Sequence, residues 1–265
     1  HYPDTDGPMG LLRAVCERQA ELIAVWMSVG FIHGVMNTDN CAISGETIDY
    51  GPCAFMDAFH VNRVFSSIDR QGRYAFSNQP QIAVWNMAQL ANALLPLLDN
   101  SDEAVGEATE IVHAMSDQVE SAWRNRFAAK IGIISPSKDD GTLIDDLLLL
   151  MQKDGADFTN TFRALSGDDA VAQFTDRAGF AAWQEKWRAR IATEDNPEAV
   201  MNAANPVIIP RNHRIEEMIQ AAVAGDMAPF NRLMNALASP FTPTDPDLHR
   251  PPSQDEIVPA TFCGT

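Results

Sequence analysis

The sequence predicts a mainly α-helical protein with one short β-hairpin. Over most of the 265 residues, apolar side chains recur at the spacing of a helix and do not alternate as they do in strands. The exception is residues 41–48, where two short stretches flank Gly45, and glycine readily adopts the positive φ of a tight turn. We find no internal repeat and no clear linker, so the helices are expected to share one core.

Each helix is predicted from its apolar spacing and from the residues at its ends. The first has apolar positions at helical spacing and ends at Gly30. Pro80 suits the first turn of the second helix, and Ser101 is an N-cap residue for the third. The predicted ranges are 9–29, 82–98, 104–127, 142–151, 157–165, 179–193, 213–224 and 228–238. Residues 239–265 hold many of the prolines, and an extended tail is expected there.

Composition restricts the function classes. The net charge of −17 disfavours nucleic acid and anionic membranes as partners, because both would repel the chain. No apolar run is long enough to cross a bilayer. The four cysteines lack paired short spacings, which excludes a dense disulfide scaffold and the common zinc patterns. We therefore expect no nucleic-acid and no membrane partner, and the oligomeric state stays open.

A polar loop after the first helix, residues 33–52, holds the candidate site. Asp39, Asn40 and Asp49 offer hard oxygen ligands, which suit Mg²⁺ or Mn²⁺ when phosphates complete the shell. A hairpin over residues 41–48 would bring Asp49 beside Asn40. An Asx turn is the ordinary use of such residues, but the combination favours a metal site. We predict Asn40 and Asp49 as metal ligands, with Asp49 also contributing to nucleotide binding.

The spacing of this loop matches that of protein kinases. Kinases hold their metal with a catalytic-loop Asn and the Asp of Asp-Phe-Gly. Here Asn40 ends a loop of the same length, and Asp49-Tyr50-Gly51 stands for Asp-Phe-Gly, with Tyr50 expected to pack as the Phe does. The kinase base falls at Val35, which cannot accept a proton. Asp39 is the carboxylate that remains in the loop, and it is the candidate catalytic base.

The longest of these motifs resembles a known family. Trp26 to Asn40, WMSVGFIHGVMNTDN, and Thr47 to Pro52, TIDYGP, are similar to the selenoprotein O (SelO, YdiU) family of pseudokinases. Shorter matches follow at Gly72-Arg73-Tyr74, Asn78-Gln79-Pro80, Trp85-Asn86, 145–151, 162–165, Asn205-Pro206, Arg211-Asn212 and Gly225-Asp226. The resemblance implies a protein-kinase-like C-terminal lobe with a helical extension over residues 1–265, an N-terminal lobe being absent from this chain.

The resemblance also implies a reaction. SelO proteins transfer AMP from ATP to Ser, Thr or Tyr hydroxyls of proteins, with Mg²⁺ or Mn²⁺ as cofactor. The expected partners are ATP and such protein substrates. The expected compartment is the cytoplasm for a bacterial protein and the mitochondrion for a eukaryotic one. Because part of the nucleotide site lies in the N-terminal lobe of the family, the isolated chain is expected to fold but to be inactive.

Four further points stay open in the sequence. Cys263 matches a position where some SelO members carry selenocysteine or a redox-active cysteine, and Cys53 is a conceivable partner for it. A phosphotransferase lobe that acts on a small molecule is an alternative, although this function would need an acidic residue at position 35, where the chain has Val35. A non-catalytic helical interaction module is another alternative, and it predicts no binding of divalent ions. Arg211, His213 and Arg214 could meet a phosphate, but exposure at a helix start is the simpler expectation.

Overall fold

The computed structural model describes residues 1–98, 101–167 and 169–262. Cys263, and with it the suggested pairing with Cys53, lies outside this part. The prediction of a mainly helical protein is confirmed. The helices are α1 Gly7–Ser28, α2 Gln79–Leu94, α3 Asp102–Lys130, α4 Asp140–Asp154, α5 Phe158–Ala164, α6 Arg177–Ile191, α7 Pro197–Ala204, α8 Asn212–Val223, α9 Ala228–Leu237 and α10 Pro246–His249. One antiparallel sheet pairs β1 Phe31–Ile32 with β2 Ala54–Phe55.

The helix ends follow local chemistry. The Ser101 hydroxyl accepts a hydrogen bond from the Ala104 amide at 3.2 Å, which confirms the predicted N-cap of α3. At the start of α5, the Asp157 carboxylate accepts from the Asn160 amide at 2.8 Å. The predicted helix over 82–98 starts earlier, at Gln79, and becomes a 3₁₀ turn at Leu95–Leu98. Pro96 accounts for that change, because its nitrogen cannot donate an α-helical hydrogen bond.

The main core lies where α1 packs against α2 and α3. Both α1 and α3 bury one apolar face, and their fully or nearly fully buried residues include Leu12, Val15, Cys16, Ile23, Met115 and Val119. Phe127 of α3 meets Phe158 and Phe162 of α5 at ring-centroid distances of 6.3 and 5.9 Å. This packing joins α5 to the core formed by α1, α2 and α3.

A smaller apolar cluster joins α8 and α9 to the tail. Its buried members are Val207, Ile208, Leu233, Ala236 and Leu248. In the described part of residues 239–265, the chain is irregular except for α10 and a bridge at Thr261. No helix among the described residues is both long enough and apolar enough to cross a membrane.

Candidate functional site

The two-stranded sheet closes the base of the candidate loop. Phe31 of β1 pairs with Phe55 of β2, and the Met56 amide donates to the Gly30 carbonyl at 2.8 Å. Gly30 has a φ of +72°, and a Cβ there would lie 2.9 Å from the Phe158 ring. A side chain at this position would therefore face both backbone strain and a clash with the core. The sheet and this turn bring the start and the end of the loop together.

The predicted hairpin over residues 41–48 is only one bridge long, so the prediction of two strands there was wrong. Cys41 and Thr47 form a single antiparallel bridge, and the turn closes with the Gly45 amide donating to the Ala42 carbonyl at 3.1 Å. The segment is held mainly by side chains of α1 and not by a ladder. Trp26 donates to the Thr47 hydroxyl at 2.8 Å, and Gln19 donates to the Ala42 carbonyl at 2.7 Å.

His33 braces the loop from inside. Its side chain is fully buried, the Val35 amide donates to Nδ1 at 3.4 Å, and Nε2 lies 2.8 Å from the Ile48 carbonyl. Since a carbonyl can only accept, these contacts require the neutral ring with the proton on Nε2. Burial lowers the pKa of His33 and favours the same neutral form. His33 thus links the residues before Asn40 to the residue before Asp49.

The amide group of Asn40 is fixed in orientation. Asn40 lies at the end of a 3₁₀ turn, Thr38–Asn40, and its Nδ2 donates to the Val35 carbonyl at 2.9 Å. Because that carbonyl can only accept, the amide nitrogen must face it. The side-chain oxygen is therefore the atom of Asn40 that remains available to a ligand, and an amide oxygen is an acceptable ligand for a hard cation.

Asp49 and Asp39 are exposed at the same end of the loop as Asn40. The bridge between Cys41 and Thr47 places Asn40 and Ile48 next to it, one on each chain segment, and Asp49 follows Ile48. Asp49 has a φ of +53°, in the left-handed region that is uncommon outside glycine, although Asp and Asn adopt it more readily than other residues. Such backbone conformations cost energy and concentrate at functional sites.

The described residues contain no group of three or more His, Cys, Asp and Glu side chains arranged to hold a metal. The described residues therefore do not form a site in which the protein alone supplies all the metal ligands. This arrangement is compatible with Mg²⁺, which is usually bound through one or two carboxylates with substrate phosphates and water. One carboxylate from Asp49 and one amide oxygen from Asn40 are donors of the right type for this kind of site.

Three side chains outside the loop hold it in place. Gln79 accepts from the His33 amide at 3.1 Å and donates to the Phe31 carbonyl at 3.0 Å. Asn86 donates to the Met36 carbonyl at 3.1 Å, and the Tyr74 hydroxyl donates to Asn37 Oδ1 at 2.6 Å. The motifs that contain these three residues resemble the SelO family, but the resemblance does not assign them a role in the loop. Nothing in the sequence around them indicated which loop groups they would contact.

Tyr50, expected to pack as the Phe of Asp-Phe-Gly does, contacts one aromatic ring and is mostly exposed. Its ring meets Phe31 edge-on at a centroid distance of 6.5 Å, yet 61% of the residue is exposed. It lines the mouth of an apolar cavity of about 300 Å³ whose other walls include Trp26, Phe31, Phe55, Pro210 and Ile215. An aromatic ring and an apolar cavity therefore lie directly beside Asp49.

Arg211 and His213 are buried, so the expectation of exposed residues at a helix start was wrong. Arg211 is fully buried and donates to Asp157 Oδ2 at 2.8 Å and to Asp57 Oδ1 at 2.5 Å. Its ion pairs connect the start of α8 to α5 and to the segment after β2. Arg211 is committed to these carboxylates, which removes it as a phosphate ligand.

Comparisons with known proteins identify the family of the chain. A family model described as protein adenylyltransferase SelO matches residues 3–238. The chain belongs to the SelO family. The resemblance found in residues 26–40 and 47–52 is thereby confirmed.

Individual relatives from the SelO family match along the whole chain. A protein nucleotidyltransferase YdiU of Roseobacter denitrificans is 66% identical over 265 residues, which are 100% of this chain and 56% of the relative. Proteins of the same name from Ruegeria pomeroyi and Bradyrhizobium diazoefficiens are 61% and 49% identical, again over 100% of this chain, and it covers 57% and 58% of them. The chain thus spans a little over half the length of these curated relatives.

Proposed function

We propose that this chain is part of a protein nucleotidyltransferase that moves AMP from ATP to Ser, Thr or Tyr hydroxyls of proteins. The observation that carries the proposal is the Cys41–Thr47 bridge, which brings the main chain at Asn40 close to Ile48, the residue before the exposed Asp49. The names of the relatives support the reaction class, since each is a protein nucleotidyltransferase.

Asn40 and Asp49 would hold a Mg²⁺ or Mn²⁺ ion. When bound, such an ion neutralises charge that develops on phosphate oxygens in the transition state. Asn40 would contribute the side-chain oxygen that its bond to Val35 leaves available. Asp49 would contribute the charged ligand, and its position depends on the bond between His33 and the Ile48 carbonyl.

Asp39 would accept the proton of the attacking hydroxyl or orient that hydroxyl. It lies one residue before Asn40 and is exposed, so an acceptor side chain can reach it from solvent. The position of the kinase base is Val35, whose side chain cannot take this role. Nucleotidyl transfer relies on positioning and electrostatics more than on proton removal, so Asp39 is proposed as an aid to the reaction and not as its main driver.

Residues 33–52 contain no Lys and no Arg, whereas they include Asp39, Glu46 and Asp49. A triphosphate approaching this loop would meet negative charge, which makes a divalent ion necessary for its binding there. We propose that cations for the triphosphate come from the part that the longer relatives have in addition. The 265-residue chain should then bind ATP weakly and transfer nothing when it is isolated.

The test is a transfer assay with the full-length protein, ATP, Mn²⁺ or Mg²⁺ and a generic acceptor protein. Intact-mass spectrometry should show the mass of one AMP added to the acceptor, and fragmentation should place it on Ser, Thr or Tyr. Addition of a phosphate instead would favour the phosphotransferase alternative. No addition together with no Mn²⁺ binding would favour a helical interaction module.

A further inference from the structure

We propose that Thr261 is a positioning residue that holds the Asp49 segment in place through the carbonyl of Pro52. This proposal rests on the nucleotidyl transfer and metal ligation proposed above. Its structural basis is a set of contacts among the tail, residues 65–67 in the segment after β2, and the candidate loop. One of these contacts joins residues more than 200 positions apart in the chain.

The tail joins the segment after β2 by main-chain bonds. Thr261 forms a parallel bridge with Ser66. Its amide donates to the Phe65 carbonyl at 2.8 Å, and its carbonyl accepts from the Ser67 amide at 3.0 Å. Phe65 and Ser66 are buried. A side chain at position 261 is therefore placed by backbone bonds on both of its sides.

From that position, the Thr261 hydroxyl donates to the Pro52 carbonyl. Pro52 is buried and comes directly after Asp49-Tyr50-Gly51. Among the described residues, no other donor forms a hydrogen bond to this carbonyl. Without the hydroxyl, a buried acceptor would lose its partner, and the segment would shift to regain one from water.

The same carbonyl lies against the start of the candidate loop. A Cβ on Gly34 would be 2.9 Å from the Pro52 oxygen and 3.3 Å from the Ser66 Cβ, and Gly34 has a φ of +84°. Gly34 follows His33, the residue that contacts the Ile48 carbonyl. Movement of Pro52 would thus disturb both sides of the site, the Asp49 segment directly and the loop before Asn40 through Gly34.

The test compares three variants of the full-length protein. Thr261→Val removes the hydroxyl and retains the main-chain bonds. Thr261→Ser restores a hydroxyl. Thr244→Val is the matched control, because Thr244 lies exposed in the same tail. Two readouts are used: Mn²⁺ affinity by electron paramagnetic resonance with a non-hydrolysable ATP analogue, and hydrogen exchange of the peptide covering residues 49–56.

We expect Thr261→Val to weaken Mn²⁺ binding by about three- to tenfold, the effect of one lost hydrogen bond, and to speed exchange in that peptide. Thr261→Ser and Thr244→Val should resemble the wild type in both measurements. Equal Mn²⁺ affinity and equal exchange in Thr261→Val would overturn the proposal. A wild type that binds no Mn²⁺ would refute the metal site, whereas the exchange data would still decide whether Thr261 holds the segment.

A measurement on the wild type alone covers the case in which Thr261→Val fails to fold. The amide protons of Ser67 and Thr261 should exchange slowly, because both donate hydrogen bonds in the bridge: Ser67 to the Thr261 carbonyl and Thr261 to the Phe65 carbonyl. Exchange of both at the rate of an unstructured peptide would show that the tail is not bound there, and the proposal would then be wrong.

Discussion

The side-chain amide of Gln79, in the first turn of α2, binds the main chain at His33. Its Oε1 accepts from the His33 amide at 3.1 Å while its Nε2 donates to the Phe31 carbonyl at 3.0 Å, and Gln79 is fully buried. One amide group thereby satisfies the donor and the acceptor that β1 leaves unpaired where the loop begins. The position of the candidate site relative to α2 depends on this contact.

Replacing Gln79 should therefore destabilise the protein. In Gln79→Met, a side chain of similar length leaves two buried main-chain groups unpaired, and each costs about 1–3 kcal/mol. Urea unfolding should show a loss of roughly 2 kcal/mol or more. Gln81→Met is the control, because Gln81 is exposed on the same helix. Equal losses in the two variants would contradict the role given to Gln79.

The helices could be predicted from sequence because their cause is local. The first helix was expected over 9–29 and is observed over Gly7–Ser28, since apolar spacing and Gly30 define both its face and its end. The region of the site could be predicted for the same reason, because Asp39, Asn40 and Asp49 share one short stretch. Which side chains hold that stretch could not be predicted.

The missing part depends on contacts between distant residues. Gln79 and Asn86 reach the loop across 46 and 50 positions, and a single sequence contains no information about which buried amide meets which carbonyl. The hairpin over residues 41–48 was overpredicted because α1 side chains replace its ladder. Arg211 was expected at the surface because its carboxylate partners, Asp57 and Asp157, are far away in the chain.

Asp39→Asn should reduce transfer while leaving nucleotide binding intact. If Asp39 takes the hydroxyl proton, kcat should fall by about 10²–10⁴-fold, the range for loss of a general base. Steady-state kinetics of AMP transfer by the full-length variant measure this fall. A fall of less than about tenfold would leave Asp39 as a residue that only shapes the loop.

Lys130 should make stability depend on pH. Its Nζ atom is buried, donates to Asn205 Oδ1 at 2.8 Å, and lies over the Phe162 ring. Burial lowers its pKa to about 7. Between this value and the ordinary value of 10.5, the unfolded chain binds a proton that the folded chain does not. The contribution of Lys130 to stability therefore falls as the pH is lowered from 10.5 to about 7, and it is constant below that.

The check is urea unfolding of wild type and Lys130→Met across this pH range. As the pH rises, the unfolding free energy of the wild type should increase relative to that of Lys130→Met, by up to ~1.4 kcal/mol per pH unit. The lost bond to Asn205 adds an offset that does not vary with pH. A difference that stays constant from neutral to alkaline pH would mean that Lys130 has an ordinary pKa.

The metal ligands are tested most directly by Asp49→Asn in the full-length protein, with Glu46→Gln as a control of the same charge change. Glu46 is exposed in the turn between Asn40 and Asp49 and has no role in the proposed site. Each variant is assayed for Mn²⁺ binding with a non-hydrolysable ATP analogue and for AMP transfer by intact mass. The account predicts that Asp49→Asn loses both while its thermal unfolding is unchanged, and that Glu46→Gln retains both. Transfer and Mn²⁺ binding near wild-type levels in Asp49→Asn would contradict it.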